Sequence, residues 1–425
     1  MRGTCDPLFA EVEHEFVANF RHRGELGGAV CVIHDGRVVV DLVGGSIGDD
    51  KQSRWTSDTV VMVWSATKGA LALCAHILAS TGDLNLDAPV HRYWSRFAGN
   101  GKREITVRML LNHQAGLPGV PQPLSPSNIC DWDLMIELLE GLAPRWQPGT
   151  RHGYHAITFG WLVGEVLRRV AGVSPATFFD QHVAKPLGLA FSIGHRSTDE
   201  GRVAATSRPP SEEGLSPQFD AALKRGSVVQ QEVWNSLGGL LGEDVCNSPQ
   251  VRAAEIPGVN GFASAAAIAQ MYAALGLTRD LQGRLPLSGR DVQQLGVVES
   301  ASSLDAVLLH PTRFSAGFEK GSPPSMSADD CCRVSLPESA FGHSGLGGAI
   351  GFVDAARRLA FGYVLNRHAS INAAASRQAA LIDAAYRSLR EPSATGVWPG
   401  DRAHRTLDVA QSDSAGIRGR TRTGS

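Results

Sequence analysis

A serine and a lysine three residues apart are the side chains of this sequence best suited to chemistry. Ser65 and Lys68 lie in the stretch 64–70, and the Ala- and Leu-rich residues that follow predict a helix over 65–80. Positions three apart share a helix face, so the hydroxyl and the amine would be neighbours. A serine becomes a strong nucleophile when an adjacent base takes its proton. Because Ser-x-x-Lys is also a common chance pattern, the alternative is a helix start with a solvated lysine.

Three further stretches place this pair in a larger pattern. They are residues 110–118 (Leu-Leu-Asn-His-Gln-Ala-Gly-Leu-Pro), residues 146–156, which end in Gly-Tyr-His-Ala, and residues 342–345 (Gly-His-Ser-Gly). Taken in this order with Ser-x-x-Lys, they resemble the serine β-lactamase and penicillin-binding-protein superfamily, in particular the class C-like branch that includes the family VIII carboxylesterases. The resemblance covers roughly residues 8–390.

The resemblance implies roles for three catalytic side chains. Ser65 corresponds to the acylated nucleophile, Lys68 to its amine partner, and Tyr154 to the phenol of the second motif. Either Lys68 with a lowered pKa or Tyr154 as phenolate could accept the serine proton, and the sequence leaves both open.

The stretch 342–345 supplies the substrate-binding strand in this resemblance. His343, Ser344 and Gly345 stand where the superfamily has Lys-Thr-Gly, on a strand that lines the cleft. The oxyanion is expected to be bound by the backbone amides of Ser65 and Leu346.

Two departures from the superfamily pattern bear on the substrate. Ala156 stands where Tyr-x-Asn has its asparagine, and His343 replaces a permanently cationic lysine with an imidazole that is mostly neutral near pH 7. Both changes favour small, uncharged, short-acyl esters as the small-molecule substrate. The alternative is a β-lactamase, or a D-amino-acid peptidase or transesterase, of the same fold.

Two other hypotheses belong to different classes. A catalytically silent relative could bind a partner through residues 192–233, a stretch with weak periodicity that we interpret as a surface excursion or lid. An α/β-hydrolase could use Ser344, but Leu346 stands where the last glycine of Gly-x-Ser-x-Gly belongs.

The hydrophobic pattern predicts the elements that position these residues. Helices are predicted at 7–22, 65–80, 106–113, 131–142, 157–172, 175–184, 264–276 and 372–389. Strand pairs are predicted at 29–33 with 38–43 and at 349–353 with 359–365. If both hairpins share one sheet, the fold is α+β: an antiparallel sheet flanked by helices, with a large inserted all-α lobe.

These elements suggest one domain over 1–390. Its α/β lobe would comprise about 7–64 and 335–390, its α lobe about 65–334, and 391–425 would form a disordered tail because few apolar residues remain there.

Composition excludes several function classes. The 425 residues carry a formal net charge of −2, which gives no field to attract nucleic acid. No apolar run could span a membrane or act as a signal peptide, so a cytoplasmic protein is expected. The seven cysteines are scattered and odd in number, which favours reduced thiols. We expect no metal and no organic cofactor.

Overall fold

An antiparallel sheet of nine strands forms the scaffold of the described chain. The computed structural model describes residues 1–48, 53–195, 200–207, 217–275, 277, 283–321, 336–368 and 371–389. Within these ranges the strands are β1 (Arg2–Cys5), β2 (Gly27–His34), β3 (Arg37–Gly45), β4 (Val60–Met62), β5 (Phe191–Ile193), β6 (Val203–Ala204), β7 (Gly261–Ala263), β8 (Ser300–Ser302), β9 (Thr312–Phe314), β10 (Glu319–Lys320), β11 (Phe341–Ser344), β12 (Ile350–Asp354) and β13 (Leu359–Leu365).

The helices fall mainly between the first and last strands. They are α1 (Ala10–His22), α2 (Thr67–Ser80), α3 (Val107–Leu111), α4 (Pro126–Cys130), α5 (Trp132–Gly141), α6 (Thr158–Ala171), α7 (Pro175–Phe179), α8 (Lys185–Leu187), α9 (Pro217–Lys224), α10 (Val228–Leu237), α11 (Glu243–Cys246), α12 (Pro249–Ala253), α13 (Ala265–Ala273), α14 (Gly289–Leu295) and α15 (Ile371–Ser388). A π-helical turn, Asp180–Ala184, joins α7 to α8.

The two predicted hairpins share the large sheet. Its strand order is β1-β3-β2-β13-β12-β11-β10-β9-β8. Strand β13 pairs with β2 in the middle of the sheet, with Phe361 opposite Val32. Helices α1 and α15 pack together, with α1 against β3, while α13 packs on β2, β12 and β13. The predicted α+β class, with an antiparallel sheet flanked by helices, is confirmed.

The inserted segment differs from the expected all-α lobe. A second sheet, ordered β5-β7-β4-β6, lies within or directly beside it, and β8, β9 and β10 extend the large sheet. Each of these strands has only two or three residues, which is too short for an alternating pattern to be visible in the sequence.

The stretch 192–233 also differs from the predicted excursion. Its described part contains α9 and the start of α10, and the side chains of Gln230, Glu232 and Val233 are buried. Gln230 donates hydrogen bonds to the carbonyls of Ala306 and Val307, so α10 packs onto the body of the protein. Residues 196–199 and 208–216 of this stretch, and the predicted tail 391–425, lie outside the described residues.

The five cysteines within the described ranges are free thiols, while Cys331 and Cys332 lie outside those ranges. None of the helices in the described ranges is both long enough and apolar enough to cross a membrane.

Candidate active site

Ser65 lies in a tight turn between β4 and α2. The helix begins at Thr67, two residues later than predicted, and the Lys68 amide donates to the Ser65 carbonyl at 2.9 Å. The preceding residue, Trp64, is 1% exposed and has a positive φ of 49°, a backbone conformation that is unfavourable for a bulky side chain. Packing around Trp64 therefore maintains a strained turn directly before the predicted nucleophile.

Lys68 is completely buried, and its amine has three neighbours. Its Nζ lies 2.9 Å from the Ser65 Oγ, 2.7 Å from the Ala156 carbonyl oxygen and 2.8 Å from the Gly258 carbonyl oxygen. Burial lowers the pKa of Lys68 to about 7, although the negative charge of Glu319 opposes this shift. A neutral amine has two N–H bonds and one lone pair. The two carbonyls can accept both N–H bonds, which leaves the lone pair for the Ser65 hydroxyl.

A close contact between two backbone segments places one of these carbonyls. Gly160, in the first turn of α6, packs directly on Gly258, and a Cβ at position 160 would lie 2.4 Å from the Gly258 nitrogen. The absence of a side chain at Gly160 therefore allows the Gly258 carbonyl to reach Lys68.

Tyr154 lies in the irregular segment just before α6. Its ring centroid is 5.0 Å from the Lys68 Nζ, and its hydroxyl lies close enough to the Ser65 side chain for that side chain to lower the phenol pKa slightly against the larger opposing effects. Burial, and then the negative charge of Glu319, hold the pKa of Tyr154 well above its usual value. Tyr154 is therefore a neutral phenol beside Ser65 near pH 7.

Asp305 anchors the backbone of this segment. Its buried carboxylate accepts the Tyr154 amide at 3.1 Å and also accepts the amides of Val307 and Leu308. Through these bonds the loop after β8 is tied to the tyrosine.

Two histidines of the motif stretches pack beneath Tyr154. His155 accepts the Leu117 amide at Nε2, and its Nδ1 lies 2.7 Å from the Gly153 carbonyl. His113 accepts the His155 amide at Nδ1, and its ring lies 4.9 Å from that of Tyr154. Burial lowers the pKa of His155 to about 3 and that of His113 well below its usual value, so both are neutral. These contacts give both histidines a structural role beneath Tyr154.

Strand β11 brings His343, Ser344, Gly345 and Leu346 to the serine turn. A Cβ on Gly345 would lie 2.1 Å from the Val63 carbonyl oxygen, so this glycine permits direct contact with the segment before Ser65. Neither the Ser65 amide nor the Leu346 amide makes a hydrogen bond of ordinary geometry within the described part of the chain. Both amides are therefore available to an oxyanion.

The His343 side chain is 1% exposed, so almost none of its surface is available for contact with a substrate. Its Nδ1 donates to the Ser344 carbonyl oxygen at 2.7 Å, since a carbonyl can only accept. Its Nε2 is buried and has no partner in the described ranges. Burial lowers the pKa of His343, so the imidazole is neutral near pH 7.

Three residues of the site lie outside the sequence motifs and were not predicted: Gly258, Asp305 and Glu319. Glu319 lies on β10 opposite Gly342 of β11, and its Oε2 accepts the Ser344 amide at 2.9 Å. Gly258 acts through a carbonyl that any residue type possesses, and the two acids lie in segments without recognisable periodicity. The described ranges contain no group of three or more His, Cys, Asp or Glu side chains arranged to bind a metal ion.

Comparison with known proteins gives matches along nearly the whole chain. The beta-lactamase family model matches residues 10–386. The esterase/beta-lactamase LipL of Mycobacterium tuberculosis (strain ATCC 25618 / H37Rv) is 33% identical over 372 residues, which cover 86% of this chain and 82% of LipL. Esterase EstB of Burkholderia gladioli is 28% identical over 199 residues, which cover 43% of this chain and 50% of EstB.

Solved structures give the same result. A family VIII carboxylesterase is 32% identical with a TM-score of 0.78, and the match covers 91% of this chain and 99% of that one. A penicillin-binding-protein homologue from Caulobacter crescentus is 34% identical with a TM-score of 0.78 and the same coverage.

Proposed function

We propose that this chain, which belongs to the beta-lactamase family, is a serine esterase. Its relatives with esterase and carboxylesterase names support assignment to the hydrolases in general. The predicted resemblance to the superfamily is confirmed. The proposed reaction is hydrolysis of small, short-acyl carboxylic esters through a covalent acyl intermediate on Ser65. Relatives with esterase names support this class.

The observation that carries the proposal is the hydrogen bonding of the Lys68 amine. With both N–H bonds donated to the carbonyls of Ala156 and Gly258, the lone pair of neutral Lys68 accepts the Ser65 proton. The Ser65 Oγ then attacks the ester carbonyl carbon, and the proton passes to the leaving alcohol as the C–O bond breaks. Water repeats the sequence on the acyl-serine and releases the acid.

The amides of Ser65 and Leu346 would stabilise the oxyanion of each tetrahedral intermediate. One such donor typically contributes about 3 to 4 kcal/mol to transition-state stabilisation. Tyr154, as a neutral phenol beside Ser65, would orient the nucleophile and donate to oxygen as charge develops.

The charge at the binding strand supports a neutral substrate. His343 is neutral and buried where a carboxylate-binding lysine would stand, so a penicillin or a peptide C-terminus gains no cationic partner from this position. Ala156 likewise offers a backbone carbonyl but no side-chain amide.

The nucleophile is tested by substitution and labelling. Ser65→Ala should lower kcat/KM for p-nitrophenyl acetate by more than about a thousandfold and abolish labelling by a fluorophosphonate. Mass spectrometry of the labelled wild-type protein should locate the adduct on Ser65, and in Ser344→Ala the adduct should stay there. Retained turnover in Ser65→Ala, or an adduct on Ser344, would contradict the assignment. Hydrolysis of nitrocefin as fast as that of the ester would favour a β-lactamase instead.

A further inference from the structure

The carboxylate of Glu319 lies directly beside the binding strand. Its Oε2 accepts the Ser344 amide at 2.9 Å, and its Oε1 is 3.6 Å from the His343 Nδ1. Its side chain is 14% exposed, so it is neither fully buried nor freely solvated. Because β10 pairs with β11 at Gly342, the sheet fixes this position.

No permanent cation balances this carboxylate within the described ranges. His343 is the one basic side chain there within 4 Å of it, and that imidazole is neutral because its Nδ1 proton is donated to a carbonyl and its Nε2 is buried without a partner. The neighbouring Lys320 belongs to the opposite face of the strand, where it interacts with Asp354 and Glu338. The negative charge of Glu319 is therefore felt in the site itself, by Lys68 and Tyr154.

We propose that Glu319 is a specificity-determining residue whose carboxylate repels substrates that carry a negative charge near the scissile bond. This inference rests on the proposed esterase function and deepens it. In the described ranges no permanent cation lies within 4 Å of Glu319, and this carboxylate stands beside the strand along which the substrate would lie. Two like charges in a partly desolvated cleft repel each other by an amount that affects binding measurably.

The test compares two acetyl esters that differ by one charge in the leaving group, phenyl acetate and 3-acetoxybenzoate. In Glu319→Gln the amide oxygen can still accept the Ser344 amide, but the charge is gone. The ratio of kcat/KM for 3-acetoxybenzoate to that for phenyl acetate should rise about tenfold over the wild type. Glu338→Gln is the matched control, because it removes a carboxylate that is ion-paired with Arg313 on the same sheet, and its ratio should equal the wild-type ratio.

A second measurement uses the wild-type protein alone and so does not depend on how the variant folds. Raising the ionic strength should increase kcat/KM for 3-acetoxybenzoate but not for phenyl acetate, because salt screens the repulsion of a partly exposed carboxylate. The inference is overturned if folded Glu319→Gln has the wild-type ratio of kcat/KM for the two esters. It is also overturned if that ratio does not change with ionic strength in the wild type. If the wild type hydrolyses neither ester, the proposed function itself fails.

Discussion

At the scale of single residues, the proposed catalytic groups differ in what their favoured protonation state lets them do. Lys68 and Tyr154 are both buried beside Ser65, but burial acts on them in opposite directions: it favours the neutral amine and also the neutral phenol. The neutral amine is a base and the neutral phenol is a donor. The geometry therefore favours Lys68 over Tyr154 as the group that accepts the serine proton.

This division predicts the pH dependence. Below a pH of about 7 the Lys68 amine is protonated and has no lone pair, so kcat/KM for an uncharged ester should fall about tenfold per pH unit as the pH drops. Above that pH the profile should be flat until well past the range in which a free phenol titrates. The measurement is a profile of kcat/KM on p-nitrophenyl acetate between about pH 5 and about pH 9.

Tyr154→Phe separates the two candidate bases. The variant should be slower but keep its acidic limb at the wild-type pH, since Lys68 remains. Loss of the limb in Tyr154→Phe, or a wild-type limb near the pKa of an ordinary phenol, would assign the base to Tyr154.

The sequence was sufficient to predict which motif side chains meet, but not what sets their chemistry. Ser65, Lys68 and Tyr154 lie together as the resemblance implies. The pKa of Lys68 depends on burial and on the charge of Glu319, and the direction of its amine depends on the Gly258 carbonyl, so both involve residues far along the chain. Neither a carbonyl nor a lone acid in a short strand leaves a recognisable pattern.

At the scale of elements, the site depends on two backbone contacts that exclude side chains. Gly345 places the end of β11 against the serine turn, and Gly160 places α6 against the Gly258 segment. The long helices and both hairpins of the large sheet were predictable because their apolar periodicity spans several turns or residues. The strands of two or three residues were not, since tertiary contacts rather than local pattern determine them.

The contact at Gly160 gives a matched pair of variants. Gly160→Ala should force α6 away from Gly258, shift the carbonyl that accepts from Lys68, and lower stability by about 1 to 3 kcal/mol through overpacking. We expect kcat to fall at least about tenfold, since about 1.4 kcal/mol of lost orientation has that effect. Gly141→Ala is the control, because a Cβ at this helix position meets nothing within 4 Å. Equal kcat and thermal stability in the two variants would contradict the role given to this contact.

At the scale of the whole molecule, a buried acid links the segment before β2 to strand β13 and helix α15. Glu25 precedes β2, accepts a hydrogen bond from the Tyr363 hydroxyl on β13, and lies 3.6 Å from Arg377 on α15. Burial raises the pKa of Glu25 to about 7, although the charge of Arg377 opposes the shift. This cluster joins segments from both ends of the described chain.

The raised pKa predicts how stability changes with pH. Between the unfolded-state pKa near 4.3 and the folded value of about 7, the folded protein binds one more proton than the unfolded chain, so this contribution to stability is lost as the pH rises. The Glu25→Gln variant cannot ionise at this position, so its stability does not fall with pH for this reason. Its melting temperature relative to the wild type should therefore increase by a few degrees as the pH rises through this window and then level off. Thermal unfolding followed by circular dichroism measures this difference, and a difference that stays constant or falls would refute it.

The pairing of β13 with β2 has a consequence for how the protein is made. His34 lies opposite Leu359, so the two middle strands of the sheet are separated by more than 300 positions along the chain. During synthesis the N-terminal hairpin emerges long before β13, so the apolar edge of β2 stays unpaired until that strand is made. Leu346, the proposed oxyanion donor, is synthesised equally late, so a nascent chain contains the proposed nucleophile well before the proposed site can be complete. Non-local closure of this kind makes folding slow, and it keeps the enzyme inactive until nearly all of its sheet is assembled.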